Sequence, residues 1–260
     1  MIPGCTLSLR TAKKPIFHPP FPLPPSLSIL VPIFNEQRTL KEIMQLLTAA
    51  CPGAQMIYID DGSTDRSLEI LRANARPQDL VLTKPNGGKG SAIRLGLSQA
   101  TGAYTTVQDA DLEYDPNEIA SLLECAAAHP GEIVFGSRFL KPNPNIYLLY
   151  LLGNKCLTLI MNLLFRGALT DAYTCYKLFP TDVLKSLPLA AGGFELEAEL
   201  CAYPLKRGLK IREVPITYHP RTFEDGKKIC FSDAVRGLVT MVRIRSRSES
   251  VTNGACAPTR

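Results

Sequence analysis

Short apolar runs rich in β-branched residues alternate with helical periodicity between residue 26 and about residue 136. The predicted strands lie at residues 28–33, 56–59, 80–82, 104–108 and 133–135. Apolar residues at three- and four-residue spacing predict helices between them, at residues 36–50, 65–75, 89–100 and 117–128. Strands that alternate with crossover helices form a mostly parallel sheet. The pattern therefore predicts an α/β fold with a Rossmann-like sheet flanked by helices.

Composition sets the limits of the folded part. The chain has 260 residues, of which 45% are hydrophobic, so it can bury a substantial core. Residues 1–25 hold seven of the 21 prolines and lack the apolar run of a secretory signal, which predicts a disordered leader. We expect a folded domain at 26–228, a basic amphipathic helix at 229–247 and a disordered tail at 248–260. The eight cysteines are dispersed, without a C-x-x-C pair, which predicts a cytoplasmic protein.

Each predicted strand is followed by a polar or charged loop. Ligands of open α/β sheets bind at the carboxyl ends of the strands, so five such loops at one edge indicate a site. The loops are Pro-Ile-Phe-Asn-Glu at 32–36, Asp-Asp-Gly-Ser-Thr-Asp at 60–65, Lys-Pro-Asn-Gly-Gly-Lys-Gly at 84–90, Asp-Ala-Asp-Leu-Glu at 109–113 and Gly-Ser-Arg at 136–138.

The fourth loop carries paired carboxylates. Asp109 and Asp111 are two residues apart at a strand end, so both can reach one cation. Oxygen ligands without a nearby His or Cys suit Mg²⁺ or Mn²⁺, and Glu113 is a candidate third ligand. On their own these acids would as readily cap the next helix; the four other polar loops favour a metal site.

Two further loops suit a nucleotide. Asp60 and Asp61 can accept hydrogen bonds from a ribose or a base, although a turn followed by a helix cap explains them as well. The loop before Lys89 opens a helix and offers an anion site. It is not an ATPase P-loop, because Thr83 and Gly90 break the required spacing.

Several other functions are disfavoured. No G-x-G-x-x-G follows the first strand, no G-x-S-x-G elbow is present and the three histidines are isolated, so dinucleotide enzymes and triad hydrolases do not fit. The chain has no Trp and no RNA-binding aromatic signature, so we expect no nucleic-acid partner.

Taken in order, the five motifs resemble glycosyltransferase family 2, and in particular its dolichyl-phosphate mannosyltransferase-like branch of polyprenyl-phosphate glycosyltransferases. The likeness covers roughly residues 26–240. It implies a GT-A fold, a nucleotide-sugar donor, a divalent metal (Mg²⁺ or Mn²⁺) and inversion at the anomeric carbon. Phe34 stands where the family often has Tyr, and Glu113 where it often has Gln.

The resemblance also assigns roles to residues. The nucleotide sugar would be bound by Pro32, Phe34, Glu36, Asp60, Asp61, Lys89, Asp109 and Arg221. The metal would be held by Asp109, Asp111 and Glu113. Catalytic roles would fall to Asp111, to Arg138 as a phosphate ligand and to Asp171 as an orienting or base-like group near the acceptor. A further strand is predicted at residues 214–218. By the resemblance, the basic loop after it, from Arg221 to Lys228, would close over the diphosphate, unless it is simply a solvated charge run.

The function implied is metal-dependent transfer of a hexose from GDP-mannose or UDP-glucose to a polyprenyl or dolichyl phosphate. A soluble or cell-envelope saccharide is the alternative acceptor, and a nucleotide-sugar-binding scaffold without turnover is a third hypothesis. Glu195, Glu197 and Glu199 begin a predicted helix that reaches Lys206, where acids favour the helix dipole, so we expect one or two of them to be structural.

Two segments predict contact with a membrane. Residues 146–165 are the most apolar in the chain, but Asn154, Thr158 and Asn162 recur every four residues, which favours an interfacial or buried helix over a span. From Phe231 onward, apolar Val235, Leu238, Val239 and Val242 share one helix face beside Arg236, Arg243 and Arg247. We therefore expect a peripheral protein on the cytoplasmic face of the membrane, with no spanning helix.

Overall fold

The computed structural model describes residues 26–143, 148–221 and 231–247. Within them, seven strands form one sheet in the order β3-β2-β1-β4-β6-β5-β7. The strands are β1 (Leu27–Ile33), β2 (Gln55–Asp60), β3 (Leu80–Thr83), β4 (Tyr104–Val107), β5 (Ile133–Ser137), β6 (Lys177–Pro180) and β7 (Ile211–Pro215). β6 is antiparallel to β4 and β5, and the other neighbours are parallel. The predicted α/β, mostly parallel architecture is confirmed.

Helices cover the sheet. They are α1 (Leu40–Ala50), α2 (Ser67–Asn74), α3 (Lys89–Gln99), α4 (Ile119–Ala128), α5 (Leu148–Phe165), α6 (Thr181–Ser186), α7 (Leu196–Lys206) and α8 (Phe231–Ser246). A 3-10 turn at Pro116–Glu118 leads into α4. No helix in these described ranges is long and apolar enough to span a bilayer.

The core lies around β1, which is paired on both sides. β2 and β4 flank it in parallel register, with Leu30 opposite Ile57 on one side and Val107 on the other. Ile29, Leu30 and Val31 are completely buried. Consecutive residues point to opposite faces of a strand, so a continuous apolar run is expected where helices cover both faces. This rigid centre fixes the loops at the carboxyl ends of β1, β2 and β4.

Two predicted element positions were wrong, and one strand was missed. The helix expected from Glu36 begins at Leu40, because Asn35 takes a left-handed conformation (φ 56°) and the chain makes a turn first. The strand expected at 214–218 is β7 at Ile211–Pro215, set by its parallel register with β5. β6 was not predicted at all. The leader, the tail and the basic residues Lys227 and Lys228 lie outside the described residues.

Candidate active site

The turn after β1 is locked to the loop after β2. The side-chain carbonyl of Asn35 accepts hydrogen bonds from the backbone of Thr64, at 2.8 Å, and of Asp65, and the Asn35 N–H donates to Ser63. The Glu36 N–H donates to the Ser67 hydroxyl at 2.8 Å. Pro32 lies in β1 opposite Ile59, and Phe34 follows the strand, half-buried. The predicted motif at 32–36 is therefore held in one fixed shape at the sheet edge.

Asp61 organises the glycine-containing loop. One of its carboxylate oxygens accepts from Lys84 Nζ at 2.5 Å and from the Gly87 N–H at 3.0 Å, and the other accepts from the Gly88 N–H at 2.7 Å. Gly88 has φ 87°, and a Cβ there would lie 2.5 Å from the Gly192 carbonyl oxygen. Asp60 is buried at the end of β2, and its carboxylate accepts a hydrogen bond from the Ser63 N–H. In this structure Asp61 shapes the loop that precedes Lys89.

Lys89 and Asp109 belong to a chain of four alternating charges. Lys89 Nζ lies 2.8 Å from Asp109 Oδ1 and 3.2 Å from Glu197 Oε1. The other oxygen of Glu197 pairs with Lys177, whose side chain is almost fully buried. Burial alone would lower the pKa of Lys89, but the carboxylates, Asp109 first, outweigh it and hold that pKa well above its ordinary value. Lys89 is therefore a permanent cation beside Asp109.

Glu197 is a site residue that sequence reasoning did not single out. It was one of three alternating glutamates at the start of a helix, where helix-dipole effects explained them equally well. Of the three glutamates, Glu197 is the one that pairs with Lys89 and Lys177. Glu199 instead accepts the backbone N–H groups of Ala190 and Ala191, at 2.9 and 3.0 Å.

Asp111 lies in a crowded acidic environment. Burial, together with the neighbouring carboxylates of Asp109 and Glu113, raises the pKa of Asp111 to about 7. Carboxylates crowded in this way repel one another, and a divalent cation between Asp109 and Asp111 would relieve the repulsion. Among the described residues no ready-made group of three His, Cys, Asp or Glu side chains converges on a point. Mg²⁺ and similar ions are, however, commonly bound by only two carboxylates, with a diphosphate supplying further ligands.

Glu113, the third candidate ligand, holds a crossing segment that we define as residues 216–221. One of its oxygens accepts from the Tyr218 hydroxyl at 3.0 Å, and the other from the Arg221 N–H at 2.9 Å. The His219 N–H donates to the Glu113 carbonyl. Metal binding by Glu113 stays a prediction. In this structure its carboxylate anchors the crossing segment over the loop at residues 109–113.

Arg221 connects the end of the crossing segment to the loop after β1. Its Nε donates to the Asp111 carbonyl at 2.9 Å, and its Nη2 donates to Glu36 Oε2 at 2.8 Å. The two residues that the resemblance assigned to the donor from opposite ends of the chain, Glu36 and Arg221, are thus an ion pair at the rim of the acidic site.

Arg138 and Asp171 form a second, buried pair. Arg138 Nε and Nη2 donate to the two carboxylate oxygens of Asp171 at 2.7 and 2.8 Å, and Nη2 also donates to the Tyr173 carbonyl. Asp171 is completely buried. Burial would raise the pKa of Asp171, but Arg138 outweighs it and holds the pKa below its ordinary value. A carboxylate so held orients Arg138; its base-like role, the other half of the expectation, has no support in this geometry.

Tyr218 connects the Arg138–Asp171 pair to the acidic site around Asp111. Its ring lies beneath the Arg138 guanidinium, 4.9 Å from Cζ, while its hydroxyl reaches Glu113. The structure therefore joins Glu36, Arg221, Asp111 and Glu113 by hydrogen bonds, and it pairs Lys89 with Asp109, two residues before Asp111. Tyr218 links the Arg138–Asp171 pair to Glu113. Tyr218 was expected only as the end of a strand, so its role was missed.

Comparison with known proteins identifies the family. A match to the family described as Glycosyl transferase family 2 covers residues 28–187. The low-salt glycan biosynthesis hexosyltransferase Agl6 of Haloferax volcanii is 29% identical over 77% of this chain and 49% of its own length. The undecaprenyl-phosphate 4-deoxy-4-formamido-L-arabinose transferase of Sodalis glossinidius is 41% identical over 38% of this chain and 33% of its own. The chain thus spans about half or less of these curated relatives.

The fold has solved counterparts. Glucosyl-3-phosphoglycerate synthase from Mycobacterium tuberculosis, crystallised with Mn²⁺, uridine diphosphate and phosphoglyceric acid, superposes with a TM-score of 0.68. It is 18% identical in sequence, and the alignment covers 87% of this chain and 80% of that one. The similarity confirms the GT-A fold expected from the sequence. With a family match over more than half of its length and this architecture, the chain belongs to glycosyltransferase family 2.

Proposed function

We propose that this protein transfers a hexose from a nucleotide sugar, GDP-mannose or UDP-glucose, to the phosphate of a polyprenyl chain, with inversion and with Mg²⁺ or Mn²⁺ bound. The observation that carries the proposal is the paired Asp109 and Asp111 site, with cationic Lys89 and Arg221 beside it and Arg138 one aromatic ring away. Two carboxylates that can hold a divalent cation, with cationic side chains beside them, suit the diphosphate of a nucleotide sugar. Arg138 would face the phosphate of the second substrate.

The donor side consists of the loops after β1 to β4. Asp109 and Asp111 would hold the cation, whose charge would stabilise the leaving diphosphate. Lys89 lies within 3 Å of Asp109 and supplies a second fixed positive charge. When the bond from the anomeric carbon to the diphosphate oxygen breaks, the electron pair stays on that oxygen. Charges fixed beforehand stabilise it without reorganisation.

The acceptor side is centred on Arg138. Three of its five N–H donors point to Asp171 and to the Tyr173 carbonyl, and none of the described residues accepts a hydrogen bond from Nη1. Those two N–H groups suit a phosphate oxygen. A lipid phosphate is already anionic at neutral pH, so its oxygen can attack the anomeric carbon without a strong base, which agrees with Asp171 being held by Arg138.

Transfer of radiolabelled sugar tests the proposal. GDP-mannose and UDP-glucose are offered separately, with Mg²⁺ or Mn²⁺, to a short polyprenyl phosphate, and the product is scored by extraction into organic solvent. We expect label in the organic phase with one donor and loss of more than 90% of it in Asp111→Asn. Asp182→Asn, the same change at an exposed acid on α6, is the matched control.

The alternative acceptor is tested in parallel. Phosphoglyceric acid is a reasonable soluble probe, because the structurally similar synthase was crystallised with it. Product that stays in the aqueous phase, from phosphoglyceric acid or a saccharide, with none in the organic phase, would contradict the lipid-phosphate acceptor. No transfer from either donor to any acceptor would contradict the enzyme proposal as a whole.

A further inference from the structure

Exposed apolar side chains are concentrated on two neighbouring helices. Eight large hydrophobic side chains of the described residues are more than about a third exposed, and six of these lie on α5 and α8, which pack against each other. On α5 they are Leu152, Leu159 and Leu163, and on α8 they are Val235, Val239 and Val242. Monomeric proteins rarely leave apolar side chains grouped in this way unless something covers them.

The exposed residues form one stripe on each helix. Leu152, Leu159 and Leu163 are separated by seven and four residues, which places them on one side of α5, and Leu163 is 72% exposed. Val235, Val239 and Val242 repeat at four and three residues along α8. We call these two stripes together the α5/α8 face.

The opposite sides of both helices are fixed to the protein. On α8, Gly237, Met241 and Ile244 are buried. On α5 the predicted polar side turns inward: Thr158 accepts from the Ala172 N–H at 3.1 Å, and Asn162 exchanges two hydrogen bonds with the backbone of Leu169. Met161 and Phe165 of α5 are also buried. The helices are therefore held in orientations that leave a second set of apolar residues, the two stripes, facing outward.

Basic side chains border the face. Arg236 and Arg243 follow the valine stripe along one flank of α8, and Arg245 and Arg247 continue the charge; all four are exposed. Among the described residues, Asp233 lies 3.9 Å from Arg236. Lys155 on α5 and Arg166, the residue after α5, are exposed as well. An apolar stripe with basic flanks is the pattern of helices that lie in the headgroup region of anionic membranes.

We propose that the α5/α8 face docks this protein on an anionic lipid surface. A second copy of the chain is the less suitable occupant, because two such faces would bring their arginines together. The leucine stripe runs about 16 Å along α5, which fits a helix lying in the plane of the interface rather than across it.

The face adjoins the acceptor side of the site. Asn154, on the inward side of α5, donates to Asp171 at 3.3 Å, and Asp171 holds Arg138. The helix that contacts lipid on one side thus positions the Arg138 pair on the other. This link to the acceptor rests on the proposed function, whereas docking itself does not.

Flotation with vesicles tests the docking. The full chain is mixed, without donor or acceptor, with vesicles of phosphatidylcholine alone or with 30% phosphatidylglycerol, and the floated fraction is measured. We expect binding to the anionic vesicles at least tenfold above that to neutral ones. Val235→Ser/Val239→Ser/Val242→Ser should reduce it about tenfold or more, and Arg236→Gln/Arg243→Gln about fivefold per arginine removed.

Matched controls are Leu46→Ser, at an exposed leucine on α1, and Arg72→Gln, at an exposed arginine on α2; both should bind like the unaltered protein. Circular dichroism confirms that each variant is folded. No binding to anionic vesicles, or binding by the valine and arginine variants as strong as that of the unaltered protein, would overturn the proposal. So would a dimer that becomes monomeric in the valine variant, since the face would then join two copies. Because no transfer is measured, a failure here is distinct from failure of the proposed reaction.

Discussion

Glu197 Oε1 lies 3.2 Å from Lys89 Nζ, and the second oxygen of Glu197 pairs with the buried Lys177. One carboxylate from α7 therefore balances a cation of the donor site and a cation of the core. Removing one partner of a buried ion pair leaves an uncompensated charge, which typically costs about 3–5 kcal/mol. In the proposed reaction Glu197 is a positioning residue, which would act on the donor diphosphate through Lys89.

Glu197→Gln should separate these effects. The amide keeps the shape but not the charge, so Lys89 is left to pair with Asp109 alone. We expect the melting temperature to fall and the KM for the nucleotide sugar to rise about tenfold, with a smaller change in kcat. Glu199→Gln is the matched control, two residues along α7, where the carboxylate accepts from the backbone N–H groups of Ala190 and Ala191 instead of from a lysine. An unchanged KM in Glu197→Gln would contradict the positioning role.

Tyr218→Phe removes the hydroxyl that donates to Glu113 and keeps the ring beneath Arg138. We expect a loss of about 1 kcal/mol in the free energy of unfolding, the usual net value of one such hydrogen bond. Because Glu113 anchors the crossing segment that carries Arg221, donor binding measured by calorimetry should also weaken. Tyr104→Phe loses one hydrogen bond, to the Gly131 N–H, away from the site. Equal donor affinity in the two variants would show that the Tyr218 bond is only structural.

The metal-free protein should depend on pH through Asp111. Burial and the nearby carboxylates raise the pKa of Asp111 from its ordinary 3.8 to about 7, so the folded protein binds this proton more tightly than the unfolded chain. This contribution to the free energy of unfolding is present below about pH 4 and is lost as the pH rises to about 7. A cation replaces the proton, so Mn²⁺ should raise the melting temperature more at pH 8 than at pH 5. Asp111→Asn should abolish that difference, and an equal Mn²⁺ effect at both pH values in the unaltered protein would contradict the assignment.

Asp171→Asn distinguishes an orienting carboxylate from a base. If Asp171 only holds Arg138, the variant should raise the KM for the lipid phosphate and lower stability, while the pH profile of kcat keeps its shape. If Asp171 accepted a proton, the acid limb of that profile would disappear. Arg138→Lys should show the same rise in KM, because an ammonium cannot replace the bidentate guanidinium.

Much of the site could be predicted because parallel strands bring their carboxyl ends to one edge. Asp60, Asp61, Lys89, Asp109 and Asp111 all follow strands whose apolar runs are unambiguous. Their placement at this edge follows from the order of the sheet alone.

The missed features depend on partners that are distant in sequence. β6 contains Lys177, whose buried ammonium pairs with Glu197 on α7 and donates to the Thr174 carbonyl, so its pattern did not indicate a core strand. β7 was placed three residues too late, because Val214, Ile216 and Tyr218 alternate like a strand. Residues 217 and 218 instead satisfy their backbone N–H groups with the side chains of Glu118 and Asn143. Neither the Lys177–Glu197 pair nor the side-chain partners of residues 217 and 218 can be predicted from the sequence.

Calorimetric binding of GDP and UDP, each with and without Mn²⁺, tests the central claim most directly, namely that the loops around Asp109 and Asp111 bind a metal-bound nucleoside diphosphate. We expect one of the two nucleotides to bind at least tenfold more tightly with Mn²⁺, and this gain to vanish in Asp111→Asn but to persist in Asp182→Asn. Binding of neither nucleotide, or a Mn²⁺ effect that survives in Asp111→Asn, would contradict the account.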